Sequence, residues 1–374
     1  MAKRVILATA GAGKTFFIAH KINTAKRNLI LAYTHENIWN IQRELINAFG
    51  SIPASTEVMT FDSFVNRHCI CPYMPIIAES FGDLNLSLRG ITMKDPPAQT
   101  FKRNNRFVPN PKYVKKDASG HYFDENGYLY CARLSELVLQ VTTKNKDFIR
   151  RIVSRLNKFF DHLFIDEFQD YRNYDYELIL AIAKLAHNTT LVGDYYQHSV
   201  LGRNNSGKPF VSNKKAVSYD DFCANMRKEK LEIDESSLCC SRRCSLNVCT
   251  FINKKLGIPI ISADLHQGDI KLVKREEVIG LLKDDSVKKL VWSGSNSYPF
   301  NSINWSKSKG NTYSRVCIIL TKKLDELCNE SFSLSKQAQV TINKLYVALT
   351  RSSGDVFLVK NDDFKNAYES EFHV

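Results

Sequence analysis

The amino-acid sequence predicts an α/β protein that contains two parallel sheets in series. Short apolar runs alternate with stretches of helical periodicity, and this alternation is typical of β–α–β units. The chain begins with a predicted strand at 4–9, a glycine-rich turn, a helix at 14–26 and a strand at 28–34. Two later runs, at 162–167 and 189–194, end in acidic residues. Because strand ends of this kind form the ligand-binding edge of a parallel sheet, the pattern predicts a ligand site there.

A second set of strands predicts a second sheet in the C-terminal half, at 288–294, 314–320 and 354–360. The stretch 68–160 lacks this regular alternation, and we interpret it as a smaller domain that is inserted into the first half. The sequence therefore predicts three parts: a first sheet domain at 1–67 and 161–225, an inserted accessory domain at 68–160, and a second sheet domain at 226–374.

Composition limits the class of protein. The chain has 374 residues, of which 44% are hydrophobic, and a formal net charge of +13. This length accommodates two or three cores, and the basic excess favours polyanionic partners because Lys and Arg release counterions from phosphates. No apolar run approaches the roughly 20 residues that span a bilayer. We expect a cytoplasmic protein without a membrane anchor, whose ten cysteines are reduced thiols rather than a disulfide framework.

The inserted stretch contains a basic and aromatic segment at 101–116. Aromatic side chains are interleaved there with the basic residues Lys102, Arg103, Arg106, Lys112, Lys115 and Lys116. Such a mixture can follow a phosphate backbone and stack on bases, so the accessory domain is a candidate DNA contact. A solvated basic loop is the alternative, because runs of charge are often only surface.

The segment ATAGAGKT, at 8–15, has the residues of a phosphate-binding loop between a strand and a helix. Glycines let backbone amides approach phosphate oxygens, and the helix N-terminus adds partial positive charge. The candidate ATP-binding residues are Ala10, Gly11, Ala12, Gly13, Lys14 and Thr15. Among them, Lys14 would neutralise the β- and γ-phosphates, and the Thr15 hydroxyl would bind Mg²⁺.

An acidic pair at the end of a later strand supplies the second half of such a site. Asp166 and Glu167 follow the apolar run HLFI. Metal-assisted ATP hydrolysis needs one carboxylate for the metal and one that activates water. We assign Asp166 to Mg²⁺ and Glu167 to the general base, so ATP and Mg²⁺ are the predicted cofactors.

Eight segments in this order resemble the helicase motifs of superfamily 1, in the UvrD/Rep branch: ATAGAGKT, LAYTHEN, TFDSF, DEFQD, GDYYQ, LCCSRRC, WSKSKGNTYSRV and LYVALTR. The resemblance implies two RecA-like P-loop domains that close on ATP. It implies that Gln197 senses the γ-phosphate and that Arg243 and Arg351 reach across as arginine fingers. Arg242 would stack on adenine, and Gly310 would lie in a loop near the nucleotide. A salt bridge or a DNA phosphate contact is the alternative for the two fingers.

The same resemblance implies a track for single-stranded DNA across the top of the sheets. Its candidate residues are Tyr33, Thr34, Thr60, Phe61 and Ser63. Hydroxyl groups can bind phosphates, and aromatic faces can accept bases without reading sequence. For Phe61, plain core packing is the alternative.

The short interval between LCCSRRC and WSKSKGNTYSRV resembles a minimal form of this family, without the large second-half insertion. The leading hypothesis is an ATP-dependent translocase or helicase on single-stranded DNA, with or without a duplex junction, and the resemblance implies 3′-to-5′ movement. The alternative is a DNA-stimulated ATPase that regulates or senses for a partner nuclease or another subunit. Such a protein would act in DNA repair or anti-phage defence without processive unwinding.

Overall fold

The computed structural model describes residues 3–198, 207–330 and 332–372. The chain begins with β1 (Lys3–Leu7), α1 (Lys14–Lys21), β2 (Asn28–Ala32), α2 (His35–Phe49) and β3 (Thr56–Thr60). All of β2 is buried, and helices on both faces of a parallel sheet explain why this strand reads NLILA. The Thr34 hydroxyl accepts from the Asn37 amide and begins α2, and Gly50, at φ 77°, ends it.

The inserted region follows β3. Its elements are α3 (Phe61–Phe64), α4 (Met74–Phe81), β4 (Gly90–Thr92), β5 (Thr100–Arg103), β6 (Arg106–Pro109), β7 (Tyr128–Tyr130), α5 (Leu134–Lys144) and α6 (Phe148–Phe159). Helix α3 continues directly into a π-helical segment at Val65–Ile70. β4 and β7 pair in parallel, whereas β5 and β6 form an antiparallel hairpin that is largely exposed.

The chain then returns to the first sheet. The elements are β8 (His162–Ile165), α7 (Asn173–Ala183), β9 (Thr189–Gly193), β10 (Val211–Ser212), β11 (Lys215–Ala216), α8 (Tyr219–Lys228) and β12 (Glu232–Asp234). The first sheet is parallel throughout, in the order β12-β1-β9-β8-β2-β3. Because β12 pairs with β1, this sheet extends to Asp234, past the boundary predicted at 225. The strand reads Glu-Ile-Asp, which is too short and polar to give a periodic signal.

The second half is a second parallel sheet with its own helices. Its elements are β13 (Cys240–Ser241), α9 (Leu246–Leu256), β14 (Ile261–Ser262), β15 (Ile270–Leu272), α10 (Val278–Lys283), β16 (Lys288–Val291), β17 (Ser302–Asn304), β18 (Val316–Ile319), α11 (Gln339–Leu349), β19 (Val356–Val359) and α12 (Asn361–Phe372). The strand order is β15-β19-β18-β16-β17. The α/β fold with two parallel sheets is therefore confirmed.

The inserted region shares a core with the first sheet. Leu137 of α5 and Ile152 of α6 belong to the same apolar cluster as Val5 of β1 and Leu31 of β2. Helix α6 buries one apolar face against this core and exposes Arg150 and Arg151 on the other. We propose that the accessory domain is an outgrowth of the first sheet domain rather than a separately folded body.

Two expectations from composition concern the chain as a whole. All ten cysteines are free thiols in this structure. Across the described part of the chain, no helix combines the length and the apolar character that crossing a bilayer requires.

Candidate active site

The phosphate loop lies between β1 and α1, at the carboxyl edge of the first sheet. Gly11 and Gly13 have φ angles of 76° and 85°, where a residue with a side chain would be strained. A Cβ atom on Gly11 would also lie 2.7 Å from the Ser241 hydroxyl and 2.8 Å from the Arg243 Cβ. The second half of the protein therefore touches this loop. Helix α1 begins at Lys14, and the amides of a first helical turn have no partner within the helix.

A cavity of about 260 Å³ lies against the loop, between the two halves. Most of the predicted nucleotide residues line it: Gly11, Ala12, Gly13, Lys14, Thr15, Glu167, Gln197, Arg243, Gly310 and Arg351. Its remaining lining was not singled out from sequence and comes from α1 and α2: Phe16, Asn37, Asn40, Arg43 and Glu44. The cavity thus joins segments that are separated by more than 100 residues in the chain.

Three predicted residues stand outside the cavity lining. Ala10 is fully buried, and its amide donates to the Tyr346 hydroxyl at 3.0 Å. Arg242 is exposed, and its guanidinium lies 5.8 Å from the centre of the Phe16 ring. Asp166 is buried next to Glu167. Of the three, only Arg242 has an exposed side chain.

Glu167 lies in a dense charge environment directly after β8. Its φ of 51° is left-handed, which is strained for a residue with a side chain. Its Oε1 lies 3.5 Å from Lys14 Nζ, and its Oε2 lies 3.4 Å from Lys309 Nζ. Burial alone would raise the pKa of Glu167, but the charges of the two lysines outweigh burial and lower it. The carboxylate is therefore ionised, as a general base must be.

Asp166 has the opposite electrostatics. Burial, and then the neighbouring charge of Glu167, raise the pKa of Asp166. Its Oδ1 is buried and has no hydrogen-bond partner. A divalent cation would supply the charge and the contact that this oxygen lacks, and Thr15 in the cavity lining offers a second oxygen.

These residues fit Mg²⁺, because this cation is usually held by one or two protein oxygens and completed by phosphate and water. Within residues 3–198, 207–330 and 332–372, no group of three or more His, Cys, Asp or Glu side chains could hold a metal by itself. The site would therefore bind the cation together with the nucleotide rather than in a protein cage.

Arg243 and Arg351 both reach the cavity from the second half. Arg351 is 2% exposed, and its Nε donates to the Val347 carbonyl at 2.8 Å. The Arg243 Nη1 donates to the Thr350 carbonyl at 3.0 Å. Burial, and then the charge of Arg243, lower the pKa of Arg351 to about 9. An anion in the cavity would relieve both effects, and burial disfavours the surface salt bridge as an alternative.

Gln197 lies where β9 of the first sheet meets α11 of the second half. It is 2% exposed and lines the cavity. Close to it, the Tyr346 hydroxyl donates to Asp194 Oδ2 at 3.4 Å, and the Asn343 side chain donates to the His198 carbonyl at 2.8 Å. Burial raises the pKa of Asp194 to about 6. The predicted γ-phosphate sensor therefore lies at a buried junction between the halves.

Four buried polar residues at this junction were missed from sequence: Asp170, Asp194, Lys309 and Tyr346. Each lies inside a segment that sequence analysis quoted, namely DEFQD, GDYYQ, WSKSKGNTYSRV and LYVALTR. The only sequence signal that could have identified them was their position next to residues that were assigned a role. The contacts that join the halves, Lys309 with Asp170 and Tyr346 with Asp194, could not be read from sequence, because each links distant segments.

The residues predicted to contact single-stranded DNA lie at the carboxyl ends of β2 and β3. The Thr34 hydroxyl caps α2, and the Thr60 hydroxyl accepts from the Ser63 amide and caps α3. The Thr60 hydroxyl also donates to the Ser63 hydroxyl at 2.8 Å. These hydroxyls already serve local structure, so a phosphate would have to share or displace those hydrogen bonds.

The two predicted aromatic contacts differ in exposure. Tyr33 is 37% exposed, and its ring centroid lies 5.3 Å from that of Tyr171. Phe61 is 3% exposed and packs at 5.0 Å against the same ring, which favours the packing alternative for Phe61. Two open cavities, of about 850 and 550 Å³, meet at Tyr33. We call the larger one, which Asp170 and Arg172 also line, the strand cavity.

Two family models match the chain. A model described as an AAA domain matches residues 2–203, and one described as the viral superfamily 1 RNA helicase core domain matches residues 129–360. A search of curated proteins found no match.

Solved helicase structures also resemble the chain. The arterivirus nonstructural protein 10 (helicase) shares 11% identity with a TM-score of 0.44, over 98% of this chain and 61% of that one. Its complex with DNA gives 14% identity and a TM-score of 0.44, over 98% and 62%. The PRRSV helicase gives 13% identity and a TM-score of 0.43, over 96% and 52%. The chain spans less than two thirds of each of these structures.

Proposed function

The chain belongs to the superfamily 1 helicases, a family of NTP-hydrolysing enzymes, and from this premise we propose that it hydrolyses ATP to move along single-stranded DNA. The observation that carries the proposal is the cavity between the halves. Lys14 and Glu167 of the first half and Arg351 of the second half line the same space. Phosphoryl transfer is catalysed mainly by positioning and by neutralising charge, which is what these three groups supply.

The proposed reaction divides the work among these side chains. The loop amides and Lys14 bind the phosphates, and Glu167 orients a water molecule and accepts its proton. Arg243 and Arg351 neutralise the charge that develops on the γ-phosphate, and Gln197 senses that group. Mg²⁺, held through Asp166 and Thr15, would offset the negative charge of the β- and γ-phosphates. Arg242 is proposed to stack on the base beside Phe16.

Single-stranded DNA is proposed to cross the strand cavity at Tyr33. Tyr33 is 37% exposed, and the hairpin β5–β6 presents Lys102, Arg103 and Arg106 to solvent. Stacking together with phosphate contacts gives binding with little sequence preference. We propose 3′-to-5′ movement, because the motifs resemble those of the UvrD/Rep branch and that resemblance implies this direction.

The test combines ATP hydrolysis with translocation. Steady-state hydrolysis is measured without nucleic acid and with single-stranded DNA or RNA of the same sequence, and translocation is measured on end-labelled strands. We expect DNA to stimulate hydrolysis and the protein to displace a block from the 5′ end. Stimulated hydrolysis without movement would instead favour the regulatory or sensing subunit. Absence of hydrolysis in all conditions would contradict both functions.

A further inference from the structure

Lys309 is a buried charge at the junction of the two halves. Its Nζ lies 2.6 Å from Asp170 Oδ2 and 3.4 Å from Glu167 Oε2. The side chains of Lys309 and Asp170 are 6% and 3% exposed. Burial by itself lowers the pKa of Lys309, but the two carboxylates outweigh burial and raise it, so the lysine is charged. Such a charge is tolerated only because its partners compensate for the lost hydration.

Lys309 also forms an ion pair with Glu167, the expected general base. Lys14 Nζ approaches Glu167 Oε1 at 3.5 Å, and the Gln169 side chain donates to Glu167 Oε2. Both carboxylate oxygens therefore face protein donors. Lys14 is expected to turn to the phosphates when ATP binds, which leaves Lys309 as the cation that holds Glu167.

Asp170 connects the same lysine to the strand cavity. Asp170 lines that cavity together with Tyr33 and Arg172. Lys309 Nζ is closer to Asp170 than to Glu167, at 2.6 Å against 3.4 Å, so Asp170 is the anchor and Glu167 the weaker partner. One ammonium group thus contacts a carboxylate of each cavity, although Lys309 itself lines neither of them.

We infer that Lys309 is a positioning residue that couples the two cavities. Through it, a nucleic-acid strand bound in the strand cavity changes the contacts of Glu167. The inference rests on the proposed function, because it needs both ATP hydrolysis and a bound strand. Lys309 follows the short helical segment Trp305–Ser308 of the second half, whereas both carboxylates belong to the first half. A shift of the second half over a bound strand moves the ammonium relative to them. When Lys309 moves fully onto Asp170, Glu167 Oε2 loses its ion pair and keeps only the hydrogen bond from Gln169, so the oxygen can accept a proton from water.

The test is steady-state ATP hydrolysis by Lys309→Met, with and without a single-stranded oligonucleotide. We expect the ratio of stimulated to unstimulated kcat to fall by about tenfold or more, within the usual range of coupling between two sites. KM for ATP and affinity for the oligonucleotide should change by less than about threefold, because Lys309 contacts neither ligand. Lys309→Arg should keep most of the stimulation, since a guanidinium can bridge both carboxylates.

Two further variants make the test specific. Lys307→Met is the matched control, because Lys307 is exposed on the same segment and its removal deletes the same charge. It should leave the stimulation ratio within about twofold of the unmodified protein, as expected for a surface substitution. Asp170→Asn removes the negative charge that pairs with Lys309. This variant tests the inference even if Lys309→Met fails to fold. It should lower the stimulation ratio in the same way.

The possible outcomes distinguish failure of this inference from failure of the proposed function. If the unmodified protein is stimulated and both Lys309→Met and Asp170→Asn keep that ratio, the inference is wrong and the proposed function stands. If stimulated and unstimulated kcat fall by the same factor in Lys309→Met, the lysine merely orders Glu167, which also contradicts transmission. An unmodified protein that no strand stimulates overturns the proposed function and this inference with it.

Discussion

The carboxylate of Glu167 and the ammonium of Lys14 lie 3.5 Å apart but are expected to act at different stages of the reaction. Lys14→Ala should weaken ATP binding, because a cation that holds phosphate acts already in the ground state. Glu167→Gln should bind ATP with near-normal affinity and lose hydrolysis, because the base acts mainly in the transition state. Equilibrium binding of labelled ATP and single-turnover hydrolysis on both variants measure the difference.

The control for this pair is Glu44→Gln, which removes a carboxylate from another part of the same cavity lining. It should alter kcat by much less than Glu167→Gln, because Glu44 lies on α2, whereas Glu167 follows β8 and pairs with Lys14 of the phosphate loop. Appreciable hydrolysis by Glu167→Gln would show that another group activates the water.

Asp175 provides a test of pH dependence away from the ATP cavity. Burial raises the pKa of Asp175 to about 6, and Asp62 adds to the effect, although Ser135 Oγ donates to Asp175 Oδ1 at 2.6 Å. Because the folded-state pKa lies above the unfolded value, folding stability is lost as pH rises through about 6. Asp175→Asn should therefore be stabilising, and its advantage should grow by roughly 1 kcal/mol between pH 5 and pH 8. Denaturant unfolding at both pH values measures it.

Asp285→Asn is the matched control, because this carboxylate is exposed. Its effect on the free energy of unfolding should be nearly the same at pH 5 and pH 8. A difference between Asp175→Asn and the unmodified protein that does not change with pH would contradict the burial argument.

At the scale of one element, the exposed hairpin β5–β6 is the part of the inserted region that we propose as a DNA contact. Arg103 and Arg106 face each other across the hairpin, and Phe107 is 75% exposed. The double variant Arg103→Ser/Arg106→Ser should weaken binding of single-stranded DNA. It should also lower the magnitude of the slope of log affinity against log salt by about one to two. The reason is that fewer counterions are released on binding when phosphate contacts are lost. Fluorescence anisotropy at several salt concentrations measures both quantities.

A control with the same loss of charge comes from the second half. Lys322 and Lys323 are exposed on a short helical turn, so Lys322→Ser/Lys323→Ser removes two charges at a different surface. If both double variants lower the salt slope equally, net charge rather than the hairpin accounts for binding. An unchanged slope in the hairpin variant would favour the solvated basic loop.

For the whole molecule, Arg351 tests closure of the two halves, because it lies in the second half and lines a cavity with Lys14 and Glu167 of the first. Arg351→Ala should keep most of the ATP affinity and lower kcat by about a thousandfold or more, the contribution typical of an arginine finger. Stimulation by DNA should also disappear, because a strand can accelerate hydrolysis only by favouring the closed state. Single-turnover kinetics with and without DNA measure both effects.

The control for Arg351 is Arg315→Ala, which removes a guanidinium from the second half at a partly exposed position beside Asp284. It should leave kcat within about twofold, as expected for a surface residue. If Arg351→Ala instead kept its unstimulated hydrolysis and lost only DNA affinity, the arginine would be a phosphate contact rather than a finger.

The sequence by itself determined the two parallel sheets and most of the cavity lining. Strands such as β2 and β9 are buried throughout and contain apolar runs, so local spacing was enough to locate them. Local spacing also located the phosphate loop and the acidic pair after β8, whereas Gln197 and the cavity residues of the second half came only from the resemblance to the superfamily 1 motifs. Glycine conformation at the phosphate loop is local as well. Gly11 and Gly13 were predicted to allow close approach, and both have the positive φ that this role requires.

Only the tertiary structure decided which distant side chains meet. The contact of Lys309 with Asp170 joins segments of the two halves, and the burial of Phe61 depends on Tyr171, which arrives from another strand end. Strand β12 joined the first sheet although its three residues carry no apolar pattern. Local periodicity reports which face of an element is apolar, but it carries no information about the partner that covers that face. The partner is selected by packing and by the pairing of buried charges, and these act only once the sheets have come together.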